Sequence, residues 1–289
     1  MKTVTIVGIG RMGGALSIAL NNAGFSIDHL IGRSPTNDSY AVLPVKTEIL
    51  SDLTNIRSEV IFITTGDPDI SGVCSAISKY LKPETIVFHT SGVLDSTELA
   101  DAKDKGCYVG SIHPLISVSD ALGGSKQFKE ANFCLEGDEK ALAAANRIVE
   151  ALGGRAFTIP TESKPLYHAS AVMAAGNVVA LFDMAVEMMA ASGVETDISR
   201  SLLARLLQSV VFNLSTKRPE QALTGSFARA DIAAVNKHLE ALDRLGSKEI
   251  KEAYILLGQR SIKMVNDPHI DSKRLDLVYE RLKMAKIDL

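Results

Sequence analysis

The stretch TVTIVGIGRMGGALSIAL, residues 3–20, decides how the rest of the chain is read. Its first part, ending at Val7, is a continuous apolar run rich in Val and Ile, the pattern of a strand covered on both faces. Gly8-Ile9-Gly10-Arg11-Met12-Gly13 follows at once, and a helical run of Ala, Leu and Ile comes next. A lone Gly-x-Gly-x-x-Gly is a weak signal because glycine is common. Set between a strand and a helix, it marks a dinucleotide-binding turn. Gly8 permits the tight turn, Gly10 lets the backbone approach a pyrophosphate, and Gly13 lets the helix pack on the strand. Arg11 and Met12 stand inside the same turn, at a helix N-terminus whose free N–H groups suit phosphate oxygens.

The next strand, 26–31, tests which dinucleotide is meant. Enzymes that use NAD place an Asp or Glu near the end of this strand, on the ribose hydroxyls. Here the chain reads Ile31-Gly32-Arg33-Ser34, and the nearest carboxylate, Asp28, comes too early. A guanidinium followed by a hydroxyl suits a 2′-phosphate, so NADP(H) is the expected cofactor, held by Arg33 and Ser34. A later strand, 59–64, leads into Thr65-Gly66-Asp67-Pro68. Thr65 and Asp67 are expected along the nicotinamide half, with Asp67 also able to cap a helix opened by Pro68.

Outward from these sites, short β-like runs at 3–7, 26–31, 41–45, 59–64, 85–90, 107–112, 132–136 and 155–160 alternate with helical stretches. That alternation predicts βαβ units, and hence an α/β Rossmann domain with a mostly parallel, doubly wound sheet over residues 1–160. Beyond Pro160 almost no strand pattern remains. Long helices are expected at 165–192, 197–216, 231–265 and 272–286, an all-α domain over 161–289 that completes the substrate site. The first of these helices is apolar on nearly every face but contains His168, Asn177, Asp183 and Glu187. It reads as a helix buried in a soluble protein and not as a membrane span. One helical domain offers few partners for so much apolar surface, which predicts a symmetric homodimer packed through it.

The 289 residues suffice for two domains, and a balance of 46% hydrophobic to 22% charged residues is that of a globular protein with a sizeable core. A net charge of −3 provides no basic field for nucleic acid or an anionic membrane, and 5% aromatics without Trp argue against a base-stacking surface. Cys74, Cys107 and Cys134 are scattered and form no pair with metal-ligand or disulfide spacing. Reduced thiols, no metal and, with no signal-peptide pattern at the N-terminus, a cytoplasmic location are expected.

Reduction of a small molecule needs a group that exchanges a proton with the substrate while hydride moves at carbon. His89-Thr90-Ser91-Gly92 and Ser111-Ile112-His113-Pro114 both fall at strand ends, where ligands bind in such sheets. A His near neutral pKa suits the task, so His113 is the expected proton donor. Ser91 is a candidate for a substrate carboxylate or the nicotinamide amide, and His89 reads as structural. In Lys164-Pro165-Leu166-Tyr167-His168, Pro165 suits the first helical position, which leaves Lys164 just outside the helix as a charge for the cleft. His168 and Asn177 are substrate-binding candidates, although a straight helix turns them to opposite sides. Arg229 stands in a polar break before Asp231; it is placed to hold a carboxylate, or to pair with Asp231 at the next helix start.

Taken in order, the motifs GxGxxG, HTSG, HPL, KPLYHA and LTGSFARAD resemble a family of oxidoreductases that join a Rossmann-like NADP-binding domain to a helical domain of unknown function. Ser226 and Ala230 depart from the family's Pro and Gly in the last motif. The architecture is more distantly similar to 6-phosphogluconate, 3-hydroxyisobutyrate and ketopantoate reductases and to pyrroline-5-carboxylate reductase. The HPL stretch also looks like the region of prephenate dehydrogenases that holds a catalytic His. The resemblance implies an NADPH-dependent reduction of a small 2-oxo acid such as ketopantoate, with His113 catalytic. Reduction of a cyclic imine, or NADP(H) binding without turnover, are the alternatives.

Overall fold

The computed structural model describes residues 3–33, 43, 47–50 and 55–287. Contacts divide the chain into two compact units, 1–176 and 177–289. The first opens with β1 (Thr3–Val7), α1 (Arg11–Asn22), β2 (Ser26–Gly32), β3 (Thr47–Ile49) and β4 (Val60–Ile63). It continues through α2 (Ile70–Ser78), β5 (Ile86–His89), α3 (Ala100–Asp104), β6 (Tyr108–Pro114) and α4 (Ala121–Ser125). β7 (Asn132–Gly137), α5 (Glu139–Ala151), β8 (Arg155–Thr158) and α6 (Lys164–Ala174) complete it.

Among the described residues the sheet has eight strands in the order β3-β2-β1-β4-β5-β6-β7-β8. All neighbours run parallel except β6 and β7. The strand order reverses between β1 and β4, and the crevice beyond their carboxyl ends is where such sheets bind ligands. Alternation along the strands splits the core. Val4, Ile6, Phe62 and Phe88 pack under α1 and α5, whereas Val7, Ile61, Ile63 and Val87 pack under α2 and α3. Because both faces are covered there, the central strands β4 and β5 read as nearly unbroken apolar runs. Of the sequence-predicted strands, 41–45 lies outside the described residues apart from Leu43, whose side chain joins the first cluster. Ser34 also lies outside them.

The second unit is helical: α7 (Gly176–Ala191), α8 (Thr196–Thr216), α9 (Pro219–Ala222), α10 (Gly225–Ala228), α11 (Ile232–Leu245), α12 (Lys248–Met264) and α13 (Ser272–Ile287). Val235, Leu239, Ile255, Val278 and Leu282 form its core. Two of the helices expected from sequence are in fact pairs. The stretch 231–265 breaks at Gly246, which is left-handed at φ 76°, and Ser247 caps α12 with its hydroxyl on Ile250 N. The stretch 165–192 breaks at Ala175, at φ −123° and ψ −71°. The straight-helix argument that set His168 against Asn177 therefore does not hold.

The units divide at Gly176, later than the change of composition at Pro160, because the start of α6 is tied to the sheet. A 3-10 turn at Thr161–Ser163 leads into the helix, so Lys164 is its first residue and Pro165 its second, and the lysine does not stand outside as expected. The burial expected for the apolar stretch is also not found within the chain. Over 164–191 only Lys164 and Val186 are buried.

Candidate active site

The glycine turn is built by close approach. Gly8 has φ +105°, and a Cβ there would sit 2.7 Å from Thr65 N. A Cβ on Gly13 would sit 2.0 Å from Gly8 O, so α1 starts directly against the turn. Thr64 Oγ1 donates to Gly8 O at 2.6 Å and locks the turn onto β4. Gly10, in contrast, faces open space. It stands at the N-cap of α1 with no side chain capping the helix and no acid in the first turn. The N–H groups at a helix N-terminus of this kind are the ones that suit an anion.

The turn borders a cleft of about 570 Å³ that runs past Ile31, Gly32 and Arg33 to Ile49, Leu50, Thr65, Asp69 and Val73. Thr65 Oγ1 is buried against the cleft without a hydrogen-bond partner. Buried hydroxyls are rarely left unpaired, so this one points to a ligand. The polar turn, the apolar slot at Ile49, Leu50 and Val73, and Arg33 at its rim fit the phosphates, adenine and 2′-phosphate of a dinucleotide.

Not every predicted residue faces this cleft. Arg11 is exposed at the head of α1, and Met12 packs against the core beside it. Asp67 begins a 3-10 turn whose cap is Gly66, and its side chain caps no backbone N–H. Asp67 acts instead on His89 and Lys164, whose pKa values its charge raises. The carboxylate on the cleft belongs to Asp69, which pairs with Arg33. Sequence reading missed Asp69, because the pairing spans two strand ends.

A second constellation gathers at the carboxyl ends of β5 and β6. Lys164 is completely buried, and its Nζ donates to Ser111 Oγ at 2.7 Å and Ser91 O at 3.3 Å. Ser111 Oγ lies 3.4 Å from Glu136 Oε2, the residue opposite it on the antiparallel strand β7. Ser96 holds that carboxylate through its N (2.8 Å) and Oγ (2.7 Å). Burial lowers the lysine pKa, opposed by the nearby Cys134 thiol and Glu136 carboxylate. With two protein acceptors and no exposure, Lys164 positions the 91–92 turn, where sequence reading had placed it as a charge for substrate.

His89 is fully buried; it accepts from Ser91 N at Nδ1 (3.2 Å) and contacts Asp95 O through Nε2 (2.9 Å). Burial drives its pKa down to about 4. Ser91 Oγ accepts from Val93 N and Leu94 N at 3.2 and 3.1 Å, which closes the turn.

His113 Nδ1 lies 2.8 Å from the Tyr167 hydroxyl, and the His168 ring stands edge-on to it with centroids 5.7 Å apart. Both imidazoles line a cleft of about 330 Å³ whose other walls are Leu115, Ile116, Ser117 and the apolar side of α6. Burial, then the nearby His168 and Lys164, lower the His113 pKa to about 4. The expected titration near neutrality is thereby overturned, and His113 is a neutral imidazole at pH 7. In the tautomer where the Tyr167 phenol donates to Nδ1, the imidazole proton sits on Nε2. Gly92 makes room for that edge, since a Cβ there would meet His168 Cδ2 at 2.5 Å and His113 Nε2 at 2.8 Å. Gly92 was legible in the HTSG motif, and Tyr167 in KPLYHA; the role of Glu136 depends on an antiparallel pairing that sequence spacing does not reveal.

Ser91, His113, Lys164 and His168 thus come together in the first unit. Asn177 and Arg229 belong to the second, where Asn177 is exposed and Arg229 O accepts from Arg274 at 3.3 Å. Asp231 caps α11 on Ala234 N at 3.0 Å, the capping role anticipated for it.

Residues 1–114 match the profile of a Rossmann-like domain, and 131–261 match DUF2520, a domain of unknown function. No curated protein matches the chain. Among solved structures, a protein of Bacteroides fragilis described as a candidate NADP oxidoreductase superposes at TM-score 0.72 with 20% identity, over 90% of this chain and 97% of its own. A protein of Thermotoga maritima gives 0.67 at 24% identity over 98% and 99%. The reductive aminase of Aspergillus terreus, in complex with NADPH and ethyl levulinate, gives 0.65 at 16% over 96% and 99%. At such identities the likeness is one of fold: a Rossmann domain followed by a helical region.

Proposed function

We propose that this chain, a Rossmann-like domain joined to a DUF2520 domain, is an NADP(H)-dependent oxidoreductase that reduces a small carbonyl compound. The observation that carries the reading is the unpaired, buried Thr65 hydroxyl beside a glycine turn so closely packed at Gly8 and Gly13 that neither position has room for a Cβ. Gly8, Gly10 and the α1 N-terminus hold the pyrophosphate, Thr65 takes a polar group of the cofactor, and Arg33 the 2′-phosphate. Proteins of this fold crystallised with NADP or NADPH support the choice of cofactor. When bound, NADPH supplies the hydride. His113 Nε2–H polarises the substrate oxygen as a neutral donor, with His168 beside it and the apolar wall around the substituents. A charged hydrogen-bonded contact is worth about 1.5–3 kcal/mol, so NADPH is expected to bind roughly ten- to a hundredfold more tightly than NADH. Titration followed by nicotinamide fluorescence checks this, and equal affinities reject the role of Arg33.

Reduction of a 2-oxo acid such as ketopantoate is the finer form of the reading. Among the described residues no Lys or Arg lines the His113 cleft to receive its carboxylate. A second reading, reduction of an imine, is favoured by the neutral state of His113, because an iminium is already activated and needs no acid. NADPH consumption over a panel of 2-oxo acids, uncharged ketones and cyclic imines separates the two readings.

The same proposal includes a homodimer. Leu166 (78%), Met173 (68%), Val179 (70%) and Phe212 (68%) stand exposed on α6, α7 and α8. The stretch 161–191 is apolar enough to cross a membrane, but it is interrupted at Ala175, and Lys164 anchors its start in the sheet. A second copy of the chain would cover these apolar faces of the helices, because soluble proteins rarely leave so much apolar area bare. Light scattering at micromolar concentration should return twice the 31.0 kDa chain mass. A monomer, or flotation with phospholipid vesicles, counts against it.

A further inference from the structure

Arg33 does not wait free at the rim of the dinucleotide cleft. Its guanidinium Nη2 donates to Asp69 Oδ2, which reaches it from the loop after β4. Asp69 is spared for this contact. It stands at the N-cap of α2, the position where an Asp side chain usually accepts a helix N–H. Here its side chain caps no helix N–H, and its backbone N donates to Gly66 O at 2.9 Å. The two side chains share the polar end of the cleft, beyond the apolar slot formed by Ile49, Leu50 and Val73. A flat heteroaromatic ring in that slot carries its ribose toward this pair.

We propose that Asp69 sets the cofactor preference of the site by competing with the 2′-phosphate for Arg33. The inference rests on the dinucleotide reading above and deepens it. A carboxylate beside the ribose edge has two consequences. It must give up Arg33 before a 2′-phosphate can take the guanidinium, and its charge then repels that phosphate. A ribose with a free 2′-hydroxyl meets neither penalty, because the hydroxyl can donate to the carboxylate. In NAD enzymes the ribose acid comes from the end of the second strand. In this chain that position is Arg33, and the acid arrives from the facing strand end. The arrangement carries a recogniser of each dinucleotide, paired with the other, so that the preference for NADPH is held below what Arg33 alone would give. The pair is substantially exposed, with 84% of the Arg33 and 44% of the Asp69 side chain open to solvent, so the competition is modest.

The experiment compares NADPH and NADH binding to the full-length wild type, Asp69→Asn, Arg33→Ala and the double variant, by nicotinamide fluorescence. 2′,5′-ADP and 5′-AMP serve as probes that lack the nicotinamide half. Asp69→Asn keeps size and removes the charge. It is expected to tighten NADPH and 2′,5′-ADP by roughly fivefold, the scale of one exposed ion pair, and to leave NADH and 5′-AMP unimproved. Arg33→Ala should weaken NADPH and abolish the gain from Asp69→Asn. Circular dichroism verifies that each variant is folded. If wild type binds NADPH and Asp69→Asn binds it no better, the inference is overturned while the dinucleotide reading stands. Equal tightening of NADH and NADPH also overturns it, since Asp69 would then act as a general negative charge. If wild type binds neither nucleotide, the dinucleotide reading fails and takes this inference with it.

Discussion

Between pH 7.5 and pH 4 the folded protein should lose several kcal/mol of stability to two imidazoles. His89 and His113 both have pKa values lowered to about 4, in each case first by burial. In the unfolded chain an imidazole titrates near 6.5. A base whose folded pKa lies below its unfolded value binds fewer protons when folded. Its contribution to stability is therefore intact above about pH 6.5 and is lost as the pH falls, until the folded form also protonates near 4. Linkage gives about 2 kcal/mol per imidazole by pH 5 and about 3 kcal/mol by pH 4. Two such groups weigh heavily against a total of about 5–15 kcal/mol. Urea midpoints at intervals from pH 7.5 to 5 measure the loss before most carboxylates titrate. His89→Gln retains a donor and an acceptor but does not titrate, so its curve should be visibly flatter. A midpoint that stays constant over this window would show that both rings are accessible to protons in the folded state.

The middle of the sheet was legible in the sequence because β4 and β5 are covered on two faces and are therefore spelled almost wholly in Val, Ile and Phe, whereas the short edge strand β3, Thr-Glu-Ile, carries no such signal. Val60–Ile63 and Ile86–His89 fall inside the runs that composition marks. The glycine turn was legible for a similar reason, since Gly8 and Gly13 leave no room for a Cβ. What escaped depends on contacts between distant segments. The Arg33–Asp69 pair joins residues 36 apart, and Ser111 meets Glu136 only because β7 runs antiparallel to its neighbour. Periodicity also overran two helix breaks. Ala175 is an ordinary helix former, and the lone Gly176 after it is a signal that an otherwise continuous apolar pattern overrides. Gly246 followed by Ser247 is a recognisable stop and start, obscured by the apolar pattern continuing on either side.

His113→Asn should lower turnover of a carbonyl substrate by roughly a hundredfold or more, the range for removing a positioned proton-transfer group. The geometry sharpens that expectation. Tyr167 and the imidazole meet at 2.8 Å, and the ring edge opposite Nδ1 faces Gly92 and the second imidazole. A neutral N–H at that edge stabilises the charge that develops on oxygen as hydride reaches carbon, a role an imidazole plays without being protonated. The pH–rate profile of wild type should accordingly show no limb near 6.5 that disappears in the variant. Gly92→Ala supplies an independent test. Its methyl group would collide with both imidazoles and displace them while leaving their chemistry present, so turnover should fall with NADPH binding unchanged. Binding should survive in either variant, because the proposed cofactor contacts lie at the glycine turn and Arg33. Near-normal turnover by His113→Asn on a carbonyl substrate would remove the imidazole from the mechanism. The same result obtained only with cyclic imines would move the assignment to imine reduction, where the substrate nitrogen brings its own proton.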